Sequence, residues 1–598
     1  MGANIFFASP GAVLEVVGWN PDDALLSAWR ARVERAGDRL GWTDRQSVVR
    51  RHSGGASLAI AAPRDLLFLA TEVNEWALCA ALAERDPTRW SDLQEALAAA
   101  ALAASGGTEN AAAEPAPVIA ESAALARFEL LAREEAHPRL RALLEEAASR
   151  GLPHVLDESE LTLGAGAGGL SFPLTALPSG SDLRWAELHD IPTAIVTGSN
   201  GKTTTVRLLA ACATAHGWRV GYNCTDGVFV EDDVLANGDY SGPAGTRMVM
   251  REHRVQAAIL ESARGGILRR GIAVSRADVA VVTNISADHF GEYGIHDIEG
   301  LAHVKLAVAA VVAPGGLLVL NADDPQLRAQ AGALHGRFGR SPPLGWFALD
   351  ADHPTLCEGR ARGAATCGMR AGRLQLSHRG AEHDLGPASG MPLSIGGVAT
   401  YNMANLAGAA LAASALGVAA ATIAAVFARF GANLHDNPGR MMRFEFNGAL
   451  ILLDYAHNPD GLRGLLTVAA HLRAANGRLG LLLGQAGNRQ DADLEQLARV
   501  AAEFGPDLVV VKENETQLRG RAPGEVPRII RAELARLGLP ESALPVRNSE
   551  IEAARYALDW ARPGDVLAMP VHSPNARAAV TALLLESSPP ATTAWRHP

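Results

Sequence analysis

Short apolar runs, each closed by a polar turn, recur along most of the chain. "TAIVTG" (193–198), "QAAILESA" (256–263), "ADVAVVTNIS" (277–286) and "GGLLVLNADD" (315–324) form one series. "LGLLLGQ" (479–485), "DLVVVKENE" (507–515) and "DVLAMPVHS" (565–573) form a second. Runs this short and this apolar suit strands buried on both faces, and helical segments fill the gaps between them. The alternation predicts parallel sheets whose functional groups gather at the strands' carboxyl ends. Residues before about 185 have a different texture. "ASLAIAAPRDLLFLATEVNEWALCAALAE" reads as a strand, a turn and an amphipathic helix. "HPRLRALLEEAASRGLPHVL" reads as a helix and "LTLGAGAGGLSFPL" as a hairpin.

Breaks in composition divide these elements. "ASGGTENAAAEPAPVIAES" (104–122) is rich in Gly, Ala and Pro and is the best candidate linker. Residues 345–398 lose helical periodicity and predict a β-rich excursion. The expected architecture is a multidomain α/β chain. A small α+β domain occupies 1–105, and a linker with a small α/β segment occupies 106–184. A central parallel-sheet domain spans 185–435 and includes the excursion, and a Rossmann-like α/β domain spans 436–598. No short internal repeat is visible. The uncharged run "LAGAALAASALGVAAATIAAVFA" (406–428) is long enough to raise a membrane span. It is mostly Ala, has Gly417 at its centre and predicts two buried helices joined at "LGV".

Composition narrows the function classes. The net charge of −11 over 598 residues argues against nucleic-acid binding by phosphate neutralisation. The five scattered Cys suit a reducing compartment, and the N-terminus lacks the basic region of a signal peptide, so a cytoplasmic location is expected. The cations carry a sharper signal. Of 54 Lys and Arg, only Lys202, Lys305 and Lys512 are Lys. A Lys that survives such a bias marks a place where a compact, modifiable amine is needed.

Lys202 lies in "TGSNGKTTT" (197–205), which opens a helix after a buried strand. Gly198 and Gly201 let the backbone of Ser199 and Asn200 curl so that its N–H groups face an anion, and the helix end adds positive potential. Lys202 can reach β- and γ-phosphates, and the Thr203 or Thr204 hydroxyl can hold Mg²⁺. Two residues separate Gly198 from the Gly-Lys pair, where the common phosphate loop has four.

This loop resembles the ATP loop of the Mur ligase superfamily. Further segments agree in order: "ESARGGILRRG" (261–271), "VVTNISADHFGEYG" (281–294), "HVKLAV" (303–308), "LNADD" (320–324), "YNMANLAGAALAA" (401–413), "NPGRM" (437–441) and "DYAHNPDG" (454–461). Several are similar to the Mur-type module of cyanophycin synthetases. The resemblance implies an ADP-forming ligase that activates a carboxylate as an acyl phosphate and condenses it with an amine. The carboxylate could be an Asp or Glu side chain, or the acid of a peptide, and the amine an amino acid.

By the same resemblance ATP and two Mg²⁺ ions are the expected cofactors. Glu261 and Thr203 would hold one ion, and His289 and Lys305 the other. Lys305 would be carbamylated or would pair with phosphate as a plain ammonium. Arg264 would handle the substrate carboxylate or the acyl phosphate. Asn402 and Asn405 would lie near the adenine, behind Tyr401 where relatives carry His. Arg440, Asp454 and His457 would reach the nucleotide from the hinge and the C-terminal domain. Asn488 replaces an Asp, and "MPVHSPNA" (569–576) lacks the relatives' Gly-Lys-Gly-His type of signature.

A homo-oligomer, dimer or tetramer, is expected, with neither membrane nor nucleic acid as partner. The chain also reads as a shortened relative without an ATP-grasp half, which a separate ligase could supply. Two other readings stay open: an idle ATP-binding scaffold in a cyanophycin-type polymerase, and a folylpolyglutamate-type glutamyl ligase.

Overall fold

A computed structural model describes residues 2–104, 120–287, 290, 291 and 293–587. The first apolar series builds the centre of an eleven-stranded sheet. From one edge to the other the strands are Asp233–Asn237, Gly227–Val230, Val220–Cys224, Ala257–Glu261, Thr193–Thr197, Ala277–Val282, Val312–Asn321, Leu344–Asp350, Thr366–Arg370, Arg373–His378 and Ala381–Pro387. The strands from Val220–Cys224 through Thr366–Arg370 are parallel, and an antiparallel ribbon closes each edge.

Alternate residues of single strands feed different cores, which is why the runs show no polar alternation. Ile195, Leu260 and Ala280 enter one apolar cluster, and Ala194, Val196, Ile259 and Val281 enter the other. The helices Lys202–His216 and Thr400–Leu416 cover the second face. The Ala-rich run thus forms two helices, Thr400–Leu416 and Ala420–Phe427, with Gly417 at φ 101° between them. Among the described residues no helix is long and apolar enough to cross a membrane. Within 345–398 one helix, Pro354–Ala361, interrupts the strands. Its His353 cap and Pro354 at the first turn supply a start signal that periodicity alone does not register.

The second apolar series builds a six-stranded sheet in the order Met442–Phe446, Ala449–Asp454, Val566–Pro570, Leu479–Leu483, Leu508–Lys512, Val546–Arg547. Only the first pair is antiparallel. Near the N-terminus, strands Gly11–Val17, Gly55–Ala61 and Ser47–His52 form an antiparallel sheet under helices Asp23–Leu40 and Leu67–Arg85. Residues 121–135, which fall in the expected linker and small α/β segment, form a helix, Glu121–Glu135, that buries Ala124 and Phe128 in that same core. A three-stranded sheet, His154–Leu156, Glu160–Leu163 and Leu170–Pro173, docks on the central domain. There the Arg251 guanidinium donates to Asp157 at 2.6 Å, to Thr162 at 3.2 Å and to the Glu160 carbonyl at 3.0 Å.

Candidate active site

Strand Thr193–Thr197 lies between Ala257–Glu261 and Ala277–Val282, so its carboxyl end opens at a crevice where the chain switches sides of the sheet. The Gly198–Gly201 loop fills that crevice. Gly198 has φ 144°, and a Cβ there would sit 1.8 Å from the Thr283 hydroxyl. Gly201 has φ 81°, and a Cβ there would strike the Asn405 side-chain oxygen at 2.2 Å. Both positions therefore need glycine for conformation and for space.

Polar groups of the neighbouring strand end clamp the loop. Thr283 Oγ1 donates to the Asn200 carbonyl at 2.6 Å, and Asn200 N–H donates to Asn284 Oδ1 at 2.9 Å. Ser199 Oγ donates to the Ser286 carbonyl and accepts from Ser286 N–H, each at 3.0 Å. Two of the three lysines converge on one atom of this loop. Lys202 Nζ lies 3.1 Å and Lys305 Nζ 2.8 Å from the Gly198 carbonyl oxygen. Lys202 also donates to the Ser199 carbonyl at 3.0 Å.

Glu261 ends its strand fully buried. Its carboxylate accepts from Thr203 Oγ1 at 2.8 Å and from Thr225 Oγ1 at 3.2 Å. Burial raises its pKa, while Lys202 and the Thr203 hydroxyl oppose the rise. A carboxylate beside two hydroxyls is an all-oxygen donor set, which suits a hard cation whose remaining ligands come from phosphate and water. Among the described residues no cluster of three His, Cys, Asp or Glu could hold a metal unaided. His289, the expected second ligand, lies outside the described residues.

The sign of the Glu261 shift gives a testable consequence. Its ionised form is penalised in the folded chain. The stability tied to Glu261 is therefore full below the ordinary carboxylate range and is lost as pH rises through that range to the raised value. Glu261→Gln should unfold at a higher temperature than the parent near neutral pH, because Thr203 and Thr225 can rotate to accept from the amide. The gap should close in acid. Thermal melts of ligand-free protein at both pH values check this, and a Gln variant less stable near neutrality contradicts it.

The hinge and the C-terminal domain complete the walls. Asn437 Nδ2 donates to Thr204 Oγ1 at 3.1 Å, and Asn458 Nδ2 donates to Asn200 Oδ1 at 2.8 Å. Arg440 lies over the Tyr455 ring at 4.3 Å, and Arg577 approaches the same ring at 5.2 Å. Asp226 takes Arg577 at 3.0 Å and Arg207 at 3.4 Å. Burial works against the Asp226 anion, but Arg440, Arg577 and Arg207 together hold its pKa below the usual range. Both Asp454 oxygens are engaged, one by Met441 N–H and one by Ala456 N–H, each at 2.7 Å, so Asp454 ties the hinge to its strand end. Tyr401 is half-buried, and its ring would lie 3.0 Å from a Cβ on Gly464, so it packs on the C-terminal domain.

These walls enclose a cavity of about 330 Å³. Its lining brings together Ser199, Asn200, Gly201, Lys202, Thr203, Thr204, Glu261, Asn402, Asn405, Arg440, Asp454 and His457. A second recess of about 980 Å³ opens beside it and contains Arg264 and Lys305. The two share Lys202, Thr225, Glu261, Tyr455 and His457. Sequence reasoning missed Thr225, Tyr455, Asn458 and Arg577. Tyr455 and Asn458 sit inside a segment already singled out, but Thr225 and Arg577 carry no local signal because only tertiary folding brings them to the loop.

A family model described as Mur ligase middle domain matches residues 196–413, and one described as Mur ligase, glutamate ligase domain matches residues 439–569. The cyanophycin synthetase of a Synechocystis strain is 35% identical over 382 residues, covering 64% of this chain and 42% of that protein. The chain spans about two-fifths of the length of such curated relatives. The UDP-N-acetylmuramoyl-L-alanyl-D-glutamate–2,6-diaminopimelate ligase of Alkalilimnicola ehrlichii is 31% identical over 381 residues, covering 62% of this chain and 69% of that one. Among solved structures, E. coli FolC in complex with ADP overlaps 66% of this chain and 89% of its own at 18% identity, with a TM-score of 0.47. With both family models matched in order and a relative at 31% identity covered over 69% of its length, the chain belongs to the Mur ligase family.

Proposed function

We propose that the chain is an ATP-dependent amide ligase that activates a carboxylate as an acyl phosphate and condenses it with an amine. One observation carries this reading. A nucleotide-sized cavity and a larger, solvent-connected recess meet at Lys202 and Glu261, where a γ-phosphoryl group would have to face a second substrate. In the reaction a carboxylate oxygen attacks the γ-phosphorus, the β–γ bridging bond breaks and ADP leaves. The amine nitrogen then attacks the acyl carbon, loses a proton and displaces inorganic phosphate.

Each step brings like charges together, so the site must supply fixed positive potential. Backbone N–H groups of 199–203 and Lys202 would cradle the phosphates, and Arg440 would approach them from the hinge. Asn402 and Asn405, which are hydrogen-bonded to each other at 3.2 Å, would frame the base with Tyr401. His457, which lines both chambers, and the adjoining Asp454 would complete the nucleotide side. Arg264, buried at the start of its helix, would orient the carboxylate. Glu261 and Thr203 would hold Mg²⁺, with Lys305 and His289 near a second ion; bound there, the metal would neutralise phosphate charge. Lys305 would carry a carbamate formed with CO₂, which a carbamate carbon resonance of the folded protein in isotopically labelled bicarbonate would report.

Likeness to proteins named cyanophycin synthetase supports the ligase reading, and within it the carboxylate is taken as an acidic side chain and the amine as an amino acid. The deciding assay follows ADP release across a panel of acids and amines. Release that needs both members of a pair supports the ligase, and a broad panel with no stimulated turnover sinks it.

A further inference from the structure

The recess beside the nucleotide cavity has an electrostatic character opposite to that of the chain. The whole protein carries −11. Yet among the described residues nine Lys and Arg side chains and only two carboxylates, Asp239 and Glu261, line this recess. Several of these cations are neutralised nearby, as Arg577 is by Asp226 at 3.0 Å and Arg270 by Glu158 at 3.4 Å. Three are not. Arg247, Arg269 and Arg519 make no ion pair with a carboxylate of the described residues.

Their settings differ. Arg247 lies on helix Pro243–Arg251, and its Nε is buried without a hydrogen-bond partner. Arg269 is exposed on helix Arg264–Arg270 and donates only to the Gly265 carbonyl, at 3.1 Å. Arg519 faces them from the C-terminal domain, with φ 44° and Nε on the Gln517 side chain at 2.7 Å. Burial, with the like charges of Arg251 and Arg270, lowers the pKa of Arg247 against the partial opposition of Asp157 and Glu158, neither of which forms an ion pair with it. Guanidinium groups without a close ion-pair partner focus positive potential in a recess and repel one another. The cost is offset when an anion enters. Planar guanidinium groups spaced along a groove match planar carboxylates spaced along a chain.

We infer that this recess binds an acidic oligopeptide, with unreacted carboxylates lying along Arg247, Arg269 and Arg519 while one carboxylate reaches Lys202. The inference rests on the ligase reading for what happens to the peptide, but its binding step stands apart from catalysis. The substrate is thereby a polyanion, bound well beyond the reacting group.

The test is fluorescence anisotropy of the full-length protein with labelled hexaglutamate, hexaserine and hexalysine, without nucleotide. Hexaglutamate should bind, weaken as salt rises and lose about five-fold in affinity in Arg269→Glu, an exposed change that leaves the core untouched. Arg519→Glu should do the same. Equal binding of hexaserine, or full affinity in both Glu variants, overturns the inference. Binding of hexaglutamate by a protein that shows no acid- and amine-dependent ADP release would sink the ligase reading and leave this site standing. Turnover with single amino acids but no preference for the acidic peptide would do the reverse.

Discussion

Lys202→Met should lower acid- and amine-dependent ADP release by about 10³ in kcat while the folded chain stays intact. The ammonium belongs to the loop's own helix start and donates to two of its carbonyls, Gly198 at 3.1 Å and Ser199 at 3.0 Å. Moving from these carbonyls onto phosphate exchanges neutral acceptors for an anion, and the gain grows as the transferring group's charge spreads. Met keeps the aliphatic stem and removes only that charge. Glu261 also loses its largest favourable electrostatic neighbour, so its carboxyl should rise further. Lys202→Arg should recover little, because a planar fork cannot occupy the compact position beside the loop carbonyls. Steady-state ADP release and circular dichroism of the purified variants decide the matter. A Met variant within ten-fold of the parent, by about 1.4 kcal/mol, would take this loop out of the chemistry.

Much of this site was legible because its parts sit at strand ends and in local motifs. The run before Gly198 reads as buried because both its faces feed cores, and the same fact sends the loop to the sheet's carboxyl edge. The scarcity of Lys pointed to three positions before any contact was known, and two of them meet on the Gly198 carbonyl. What stayed hidden depends on tertiary pairing. Thr225 follows an ordinary strand, and its hydroxyl matters only because that strand lies beside Ala257–Glu261. Arg577 is more than three hundred residues from Asp226, and no local pattern could join them. Helix Glu121–Glu135 follows a Gly-, Ala- and Pro-rich stretch whose composition reads as a linker, and only the tertiary contact of Phe128, edge-on against Trp76 at 5.6 Å, ties it to the N-terminal core.

The third lysine carries the largest expected effect on stability. Lys512 ends strand Leu508–Lys512 with its side chain fully buried, ion-paired to Glu550, which is also fully buried. Glu550 accepts in addition from His572 N–H at 2.9 Å and Ser573 N–H at 2.7 Å. Burial opposes the Glu550 anion, yet Lys512, with the His572 N–H, holds its pKa down to about 2. Burial and Lys512 also push His572 well below its usual range, to about 3. Lys512→Met leaves Glu550 ionised or protonated with no cation beside it, and should cost about 3–5 kcal/mol. Replacing both members, Lys512→Met with Glu550→Leu, removes the uncompensated charge and should recover part of that loss, the remainder being the two N–H groups left without an acceptor. It should not restore turnover. The turn 571–574 that Glu550 holds lines the recess with His572, Ser573 and Pro574, and two N–H groups there would lose their acceptor. Denaturant melts separate the variants on stability, and ADP release separates them on function. A single Met variant as stable as the parent would mean that the pair contributes nothing. A double variant with full turnover would mean that the turn needs no anchor.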